Sequence, residues 1–362
     1  MDIDRVLEQM VKFGASDLHM QEKFKPALRI DGALRRLDVE PTTAEDMAAA
    51  IEKILTEKQH SRFLNENEGD GSYQIEGLGR FRINAYRALD LQNLAIRYIP
   101  LEIPKLDTLS LPAKIAEIAL AKRGLVLVTG VTGSGKSTSL AAMLRHINEN
   151  VRSKIITLED PVEFLHEEQL CSISQREVGI DSDSYSIGLK QVFRQNPDVI
   201  LLGEVRDGEV MSEALAGAET GHMVFTTLHT ADARHTITRV LSFYPPHDHA
   251  AVREILSGVL VATISMRLLP KKGGGRIPAV ELMVNTALIA DIIAEEGRLH
   301  ELPQLIYDGK SQYGMQTFDQ CILQQYQDGF IDYEVAKINS SNPSEFDLAI
   351  QGITGGGADD GK

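Results

Sequence analysis

The run GLVLVT at 124–129 leads straight into GVTGSGKST at 130–138. An apolar stretch that ends in a glycine-rich turn and then starts a helix has few ways to fold. It reads as strand, loop and helix, the form of a phosphate cradle. The glycines let the backbone curl so that successive N–H groups face one centre, and the helix points its positive end there. Gly130, Gly135, Lys136 and Ser137 carry the Walker A pattern, with Thr132, Gly133, Ser134 and Thr138 completing the loop. Lys136 is expected to neutralise terminal phosphates and Ser137 to reach magnesium, so ATP and Mg2+ are the expected ligands.

The sequence around this loop alternates between strands and helices. A helix is expected over about 112–122, strand 124–129, helix 136–149 and strand 154–158. After a long connection come a helix near 185–195, strand 199–203, helix 208–219 and strand 222–227. That order predicts an α/β sheet with crossovers. From about 246 the chain reads as mostly helical, over 247–267, 285–295, 299–308, 316–327 and 331–337. It is broken by Gly273, Gly274 and Gly275, with a further strand at 276–284.

The first hundred residues follow another pattern. A helix over 1–13 precedes strands around a turn at Asp31-Gly32, and a helix is expected over 43–65. GSYQIEGLGRFRINAYRAL and LQNLAIRYIP then alternate polar and apolar like antiparallel strands. A smaller α+β domain over 1–100 fits, followed by a proline-rich linker at 101–112 and a second domain over 113–350 whose part from about 285 is helical. The glycine-rich tail at 351–362 is expected to be disordered.

At 362 residues the chain is too long for one small core and suits two domains. A net charge of -15 argues against non-specific binding to nucleic acid, which needs a cationic surface, and against docking on anionic lipid. Two cysteines far apart, Cys171 and Cys321, exclude a disulfide framework or a CxxC metal site. MDIDRVLEQM is charged and amphipathic, unlike a signal peptide, and no apolar run reaches membrane-spanning length. A soluble, cytoplasmic protein with no membrane insertion is expected.

Other motifs fit phosphoryl chemistry. NPDVILLGEVRD places Glu204 at the end of a buried strand, where a carboxylate can activate water. The usual Walker B aspartate is missing, and Gly203 stands in its place. IITLEDPVEF ends in Glu159, Asp160 and Glu163, either a solvated turn or a group arranging magnesium and water, with Glu163 the chosen water-organising partner. GHMVFTTLHTADA brackets a strand with His222 and His229. Without cysteine partners these do not make a zinc site, and they read either as ordinary hydrogen-bonded histidines or as sensors of the terminal phosphate. Arg80, Arg82, Arg87 and Arg97 lie on the N-terminal strands, as solvated faces or as arginine fingers.

Together these motifs resemble the secretion and type IV pilus ATPases. The likeness runs from ASDLHM at 15–20 to GMQTFDQ at 314–320. It takes in the Walker A loop, the aspartate box IITLEDPVE at 155–163, the atypical Walker B LLGEVRD at 201–207 and the histidine box GHMVFTTLHT at 221–230. The glycine before the glutamate looks normal for the family. The chain looks like the retraction branch, PilT and PilU. It lacks both the large extra N-terminal domain and the four-cysteine zinc element of assembly ATPases. The stretch 174–207, SFYPPHD and GMQTFDQ look nearer to PilU-like members. TALIADIIAEEG at 286–297 departs from the AIRNLIRE motif of PilT proteins by losing its arginines.

The resemblance implies a PAS-like N-terminal domain, a RecA-like motor domain, and a homo-hexameric ring with nucleotide between the two domains. It implies Glu204 as catalytic glutamate with Glu163 as partner. Arg82 and Arg97 would approach the phosphates, with Arg80 a weaker candidate, and His222 and His229 would link nucleotide state to the ring. Magnesium would be met by Ser137 and, mostly through water, by Glu159, Glu163 and Glu204. The implied work is pilus retraction against an inner-membrane platform protein, beside a paralogous retraction ATPase or as its accessory. That would place the protein in the cytoplasm, peripheral to the inner membrane. A nucleic-acid motor of RecA type is the rival reading.

Overall fold

The computed structural model describes residues 2–30 and 32–350. Asp31 of the expected turn and the tail at 351–362 lie outside them. The chain divides into two compact units: residues up to Ile103 together with Asp160–His166, and Pro104–Glu159 together with the chain from Glu167 on.

The first unit contains α1 (Ile3–Lys12), β1 (Asp17–Gln21), β2 (Ala27–Ile30), β3 (Ala33–Arg36), α2 (Ala44–Ile54), α3 (Glu57–Glu66), β4 (Glu68–Ile75), β5 (Gly79–Ala88) and β6 (Leu91–Ile99). Its antiparallel sheet has the order β3-β2-β1-β6-β5-β4. Strand periodicity decides which side chains face the core. Along β5, Phe81, Ile83 and Ala85 are buried, while Arg80, Arg82 and Asn84 between them are not. Ile3, Leu7 and Met10 recur at helical spacing on α1 and join Phe63, Phe81, Met47 and Ile51 in one core. The helix expected over 43–65 is two helices. Leu55 turns extended, and Thr56 begins a new capping box with Gln59, which supplies the backbone bonds a fresh start needs.

The second unit contains α4 (Lys114–Ala119), β7 (Gly124–Thr129), α5 (Lys136–Asn150), β8 (Lys154–Glu159), β9 (Ser172–Glu177), α6 (Tyr185–Val192), β10 (Val199–Leu202), α7 (Gly208–Glu219), β11 (Met223–Leu228), α8 (Ala233–Ser242), α9 (His249–Val259), β12 (Leu260–Pro270) and β13 (Arg276–Val284). Six helices follow among the described residues: α10 (Ala287–Ala294), α11 (Leu302–Asp308), α12 (Lys310–Tyr313), α13 (Phe318–Gln327), α14 (Tyr333–Asn339) and α15 (Pro343–Ile350). The sheet order is β13-β12-β7-β11-β10-β8-β9, with only the edge pair β12–β13 antiparallel.

Helices cover both faces of this sheet, so its strands are apolar on both sides. Leu125 and Leu127 of β7 face a core with α7, α8 and α9, while Val126 and Val128 face another with α4 and α5. The linker does not stand apart: Leu106 and Leu111 pack against the second of these cores.

The helix expected to run to 267 stops at Val259, and the chain continues as β12 between β7 and β13. LVATISM is uncharged and carries no helical period, while its β-branched Val261, Thr263 and Ile264 suit a strand buried on both faces. Gly273, Gly274 and Gly275, all at positive φ, turn it into β13. The connection after β8 also holds a strand, β9, that the sequence reading passed over. No helix among the described residues is long and apolar enough to cross a membrane.

Phe225 of β11 is fully buried and lies between Val126 and Leu201 in register. Phe225→Ala should lower unfolding free energy by about 3–5 kcal/mol, because the central layer cannot collapse around the void. Urea denaturation of the full chain measures this.

Candidate nucleotide site

The carboxyl ends of β7, β11, β10 and β8 share one edge. Register aligns Leu228 with Thr129 and Leu202 with both Thr226 and Leu158. The segments leaving this edge carry the motifs that the sequence singled out.

The phosphate loop leaves β7 at Thr129. Gly130 has φ 142°, and a Cβ there would stand 2.4 Å from the Met266 carbonyl oxygen, so only glycine fits. Gly133 and Gly135 also have positive φ, and α5 starts at Lys136. Lys136 is only 8% exposed, and its Nζ donates to the carbonyls of Gly130 (2.7 Å) and Val131 (3.1 Å). This folds the cation back over the loop. The Ser134 hydroxyl is buried with no hydrogen-bond partner in the protein. Ser137 is exposed on the first turn of the helix, Thr138 is half-buried, and Thr132 and Gly133 are exposed in the loop. An orphan hydroxyl, a lysine and a 15-residue helix N-terminus in one loop fit an oxyanion such as phosphate.

Glu204 follows β10, two strands from β7 and so about 10 Å along the edge. One carboxylate oxygen accepts from Arg206 Nε, and the other lies 3.2 Å from His229 Nε2. Burial pushes the carboxyl up, but the bonds and charges of Arg206 and His229 outweigh it, leaving Glu204 below its ordinary value. Arg206 was quoted within the Walker B motif without a role, because two-residue spacing in a loop gives no warning of an ion pair.

Gly203 has a packing explanation. Its N–H donates to Leu158 O (2.8 Å), and its carbonyl accepts from Thr227 Oγ1 (2.8 Å). A Cβ would meet the Tyr185 hydroxyl at 2.8 Å and Glu159 Cα at 3.3 Å. An aspartate there would have to displace the Tyr185 hydroxyl and press on the backbone of β8, where Gly203 is bonded to both neighbouring strands. Glu159 ends β8 beside it and accepts from Thr157 Oγ1 (2.7 Å) and Gln175 Nε2 (3.5 Å).

The two histidines separate. His229 follows the carboxyl end of β11, beside Glu204. His222 precedes the amino end of the same strand, so six residues, roughly 20 Å, stand between His222 and the phosphate-loop edge. Its Nδ1 lies 2.9 Å from Gly217 O and 3.2 Å from Thr220 Oγ1, and its ring packs on Phe193. His222 therefore caps the C-terminal end of α7, at the end of β11 opposite to His229.

Glu163 groups with the first unit, although it lies four positions beyond Glu159. It is 3.8 Å from Arg82 of β5. Arg80 donates to Val162 O (2.9 Å) and Ser72 Oγ (2.6 Å), which fixes the 160–166 segment on the first unit. Arg97 of β6 bonds Asp17 and is 53% exposed at its side chain. Among the described residues no cluster of three or more His, Cys, Asp or Glu side chains is set to hold a metal alone. A magnesium ion here would rely on water and phosphate oxygens, with Ser137 as direct hydroxyl ligand.

The family model for type II/IV secretion system protein matches residues 1–327. The chain is 39% identical over 352 residues to the type IV pilus ATPase PilU of Pseudomonas aeruginosa, covering 97% of this chain and 92% of that one. It is 40% identical over 346 residues to the type IV pilus retraction ATPase PilT of the same organism, covering 96% and 100%. Identity alone does not separate the two. A crystal structure of the pilus retraction motor PilT with bound ADP superposes with TM-score 0.86 at 39% identity, over 95% of this chain and 98% of that one.

Behind the site edge, β13 supplies one buried acid. Glu281 pairs in register with Ser265, which pairs with Thr129, and Thr129 donates to Ser265 Oγ at 3.0 Å. Glu281 accepts the Ala233 N–H (2.8 Å) at the start of α8, three residues past the histidine box. Burial raises its carboxyl to about 7, against the pull of the Ala233 N–H and Arg267, while Asp232 and Asp319 push the same way as burial. The fold thus favours the protonated acid. This contribution to stability is complete below the ordinary value near 4.5 and is lost as pH rises through about 7. Glu281→Gln keeps an acceptor for Ala233 and removes the titration. Urea midpoints should fall between about pH 5 and about pH 8 in the wild type, and less steeply in Glu281→Gln.

Proposed function

The chain belongs to the type II/IV secretion system protein family, and we propose that it is a Mg2+-dependent ATPase that drives retraction of a type IV pilus. The observation that carries this reading is the single sheet edge that presents a Walker loop and, two strands away, a carboxylate held ionised by Arg206 and His229. The near-full-length likeness to PilT and PilU supports pilus retraction as the work performed.

The phosphate loop binds the triphosphate. Backbone N–H groups from Gly133 to Thr138, the start of α5 and Lys136 offset its charge, and Lys136 exchanges the carbonyls of Gly130 and Val131 for phosphate oxygens. Ser137 would hold Mg2+, which would supply further positive charge beside the phosphates. Glu204 orients the attacking water. A carboxylate with a lowered pKa is a poor proton sink, so its contribution is orientation and charge more than proton abstraction. His229 fixes one Glu204 oxygen and begins the segment leading into α8, so loss of the terminal phosphate is felt in that helix. Glu159 and Glu163 would act on the Mg2+ ion only through water. Arg82 and Arg97 are proposed to stabilise charge on the transferring phosphoryl group within a homo-hexameric ring. The ring works in the cytoplasm against a platform protein of the inner membrane, with hydrolysis returning pilin subunits to the membrane.

The test is Mg2+-dependent ATP turnover by the purified chain, with native mass recorded. Glu204→Gln should lower kcat by about 100-fold or more while ATP binding persists, because the phosphate loop is untouched. Lys136→Ala should lose binding. Turnover that survives Glu204→Gln would overturn the assignment. A ring that binds ATP without hydrolysing it would make the protein an accessory to an active paralogue, and turnover that depends on DNA would make it a nucleic-acid motor.

A further inference from the structure

ASDLHM begins β1, and the proposed mechanism leaves its acid unused. Asp17 is the direct cross-strand partner of Arg97 on β6, and Arg97 is the direct partner of Arg82 on β5. Directly paired residues project from the same face of a sheet. Asp17 also pairs with Arg29 on β2, so one row reads Arg82, Arg97, Asp17, Arg29, with a single acid among three cations.

The contacts within the row are specific. Asp17 Oδ1 accepts from Arg97 Nε at 2.9 Å. Asp17 Oδ2 accepts from Ser16 Oγ at 2.8 Å and lies 3.8 Å from Arg29 Nε. The carboxylate side chain is 13% exposed against 53% for Arg97. Its position is set from behind: Ser16 is pinned by its N–H to Arg29 O (2.9 Å) and by its carbonyl, which accepts from Tyr98 N (3.1 Å). A fixed, mostly buried acid therefore holds a more exposed arginine by its Nε. The two terminal nitrogens of a guanidinium held this way can still grip a phosphate oxygen pair, because the fork is planar and rigid.

We infer that Asp17 is a positioning residue for the phosphoryl-transfer reaction, fixing Arg97 by its Nε so that its terminal nitrogens meet the phosphates. This rests on the reading of Arg97 given above. An unheld arginine would have to be ordered during the reaction, so the benefit of Asp17 belongs in kcat more than in KM.

The experiment is steady-state Mg2+-ATP hydrolysis by the full chain in four forms: wild type, Asp17→Ala, Arg97→Ala and the double variant, with native mass and melting temperature recorded. Asp17→Ala should lower kcat by about tenfold or more, with KM changing less than about twofold. Arg97→Ala should lose more, and the double variant should match Arg97→Ala alone, because Asp17 acts through that side chain. Asp17→Asn keeps an oxygen for Nε without the charge and should fall between wild type and Asp17→Ala. It replaces Asp17→Ala in the cycle if the latter fails to fold.

Arg97→Ala impaired with Asp17 variants at the wild-type rate would overturn the positioning role alone. So would an Asp17 loss that persists undiminished in the Arg97→Ala background, the mark of a merely structural acid. Arg97→Ala at the wild-type rate would overturn the role given to Arg97 and the inference with it.

Discussion

The register of the parallel strands governs the chemistry of the second unit. Backbone hydrogen bonds fix β7, β11, β10 and β8 so that the phosphate loop, His229, Glu204 and Glu159 leave the sheet at one level. Parallel strands end together only because crossover helices return the chain to the far edge each time, and both faces must then be apolar. The alternation of Leu125 and Leu127 against Val126 and Val128 between two cores is therefore a condition of the site as well as of stability. A slip of one residue in β10 would exchange its core sets and move Glu204 off the edge.

The same register explains how the missing Walker B aspartate is tolerated. With Gly203 hydrogen-bonded to β8 on one side and β11 on the other, a side chain at the strand end would crowd the Tyr185 hydroxyl and the Glu159 backbone. The acid one position on, Glu204, has left the ladder and is oriented by side chains. Orientation by Arg206 and His229 replaces orientation by the sheet.

These physical causes also divide what could be read from sequence. The glycine loop, β7, α5, α7 and β13 were legible because each combines a local signal with a clear length: positive-φ glycines, a cap such as Asp207 on α7, or a run bounded by turn residues. β12 was not, since a strand buried on both faces is as uniformly apolar as a buried helix, and only β7 and β13 decide between them. Glu204 was placed at its strand end correctly, yet Arg206 was invisible as its partner. His222 and His229 looked equivalent because sequence records the strand between them but not that its two ends face opposite sides of the domain. The grouping of Glu163 with Arg82 was hidden for a similar reason: it depends on Arg80 fastening the Val162 carbonyl, a contact across 82 positions.

Each charged group assigned to the reaction already has a partner within its own unit. Glu204 is held by Arg206 and His229, Arg97 by Asp17, and Arg82 lies by Glu163. Such pairs at an exposed surface add little stability, because solvent screens them. Their value lies in preorganisation: a side chain already held at one end loses less freedom when a phosphate arrives at the other. The arrangement also sets a limit. A two-pronged carboxylate grip would occupy the terminal nitrogens of an arginine, whereas the single-point hold on Arg97 through Nε leaves them outside the Asp17 pair. The 3.8 Å separation of Arg82 from Glu163 is looser still, so that pair holds its cation less firmly than Asp17 holds Arg97.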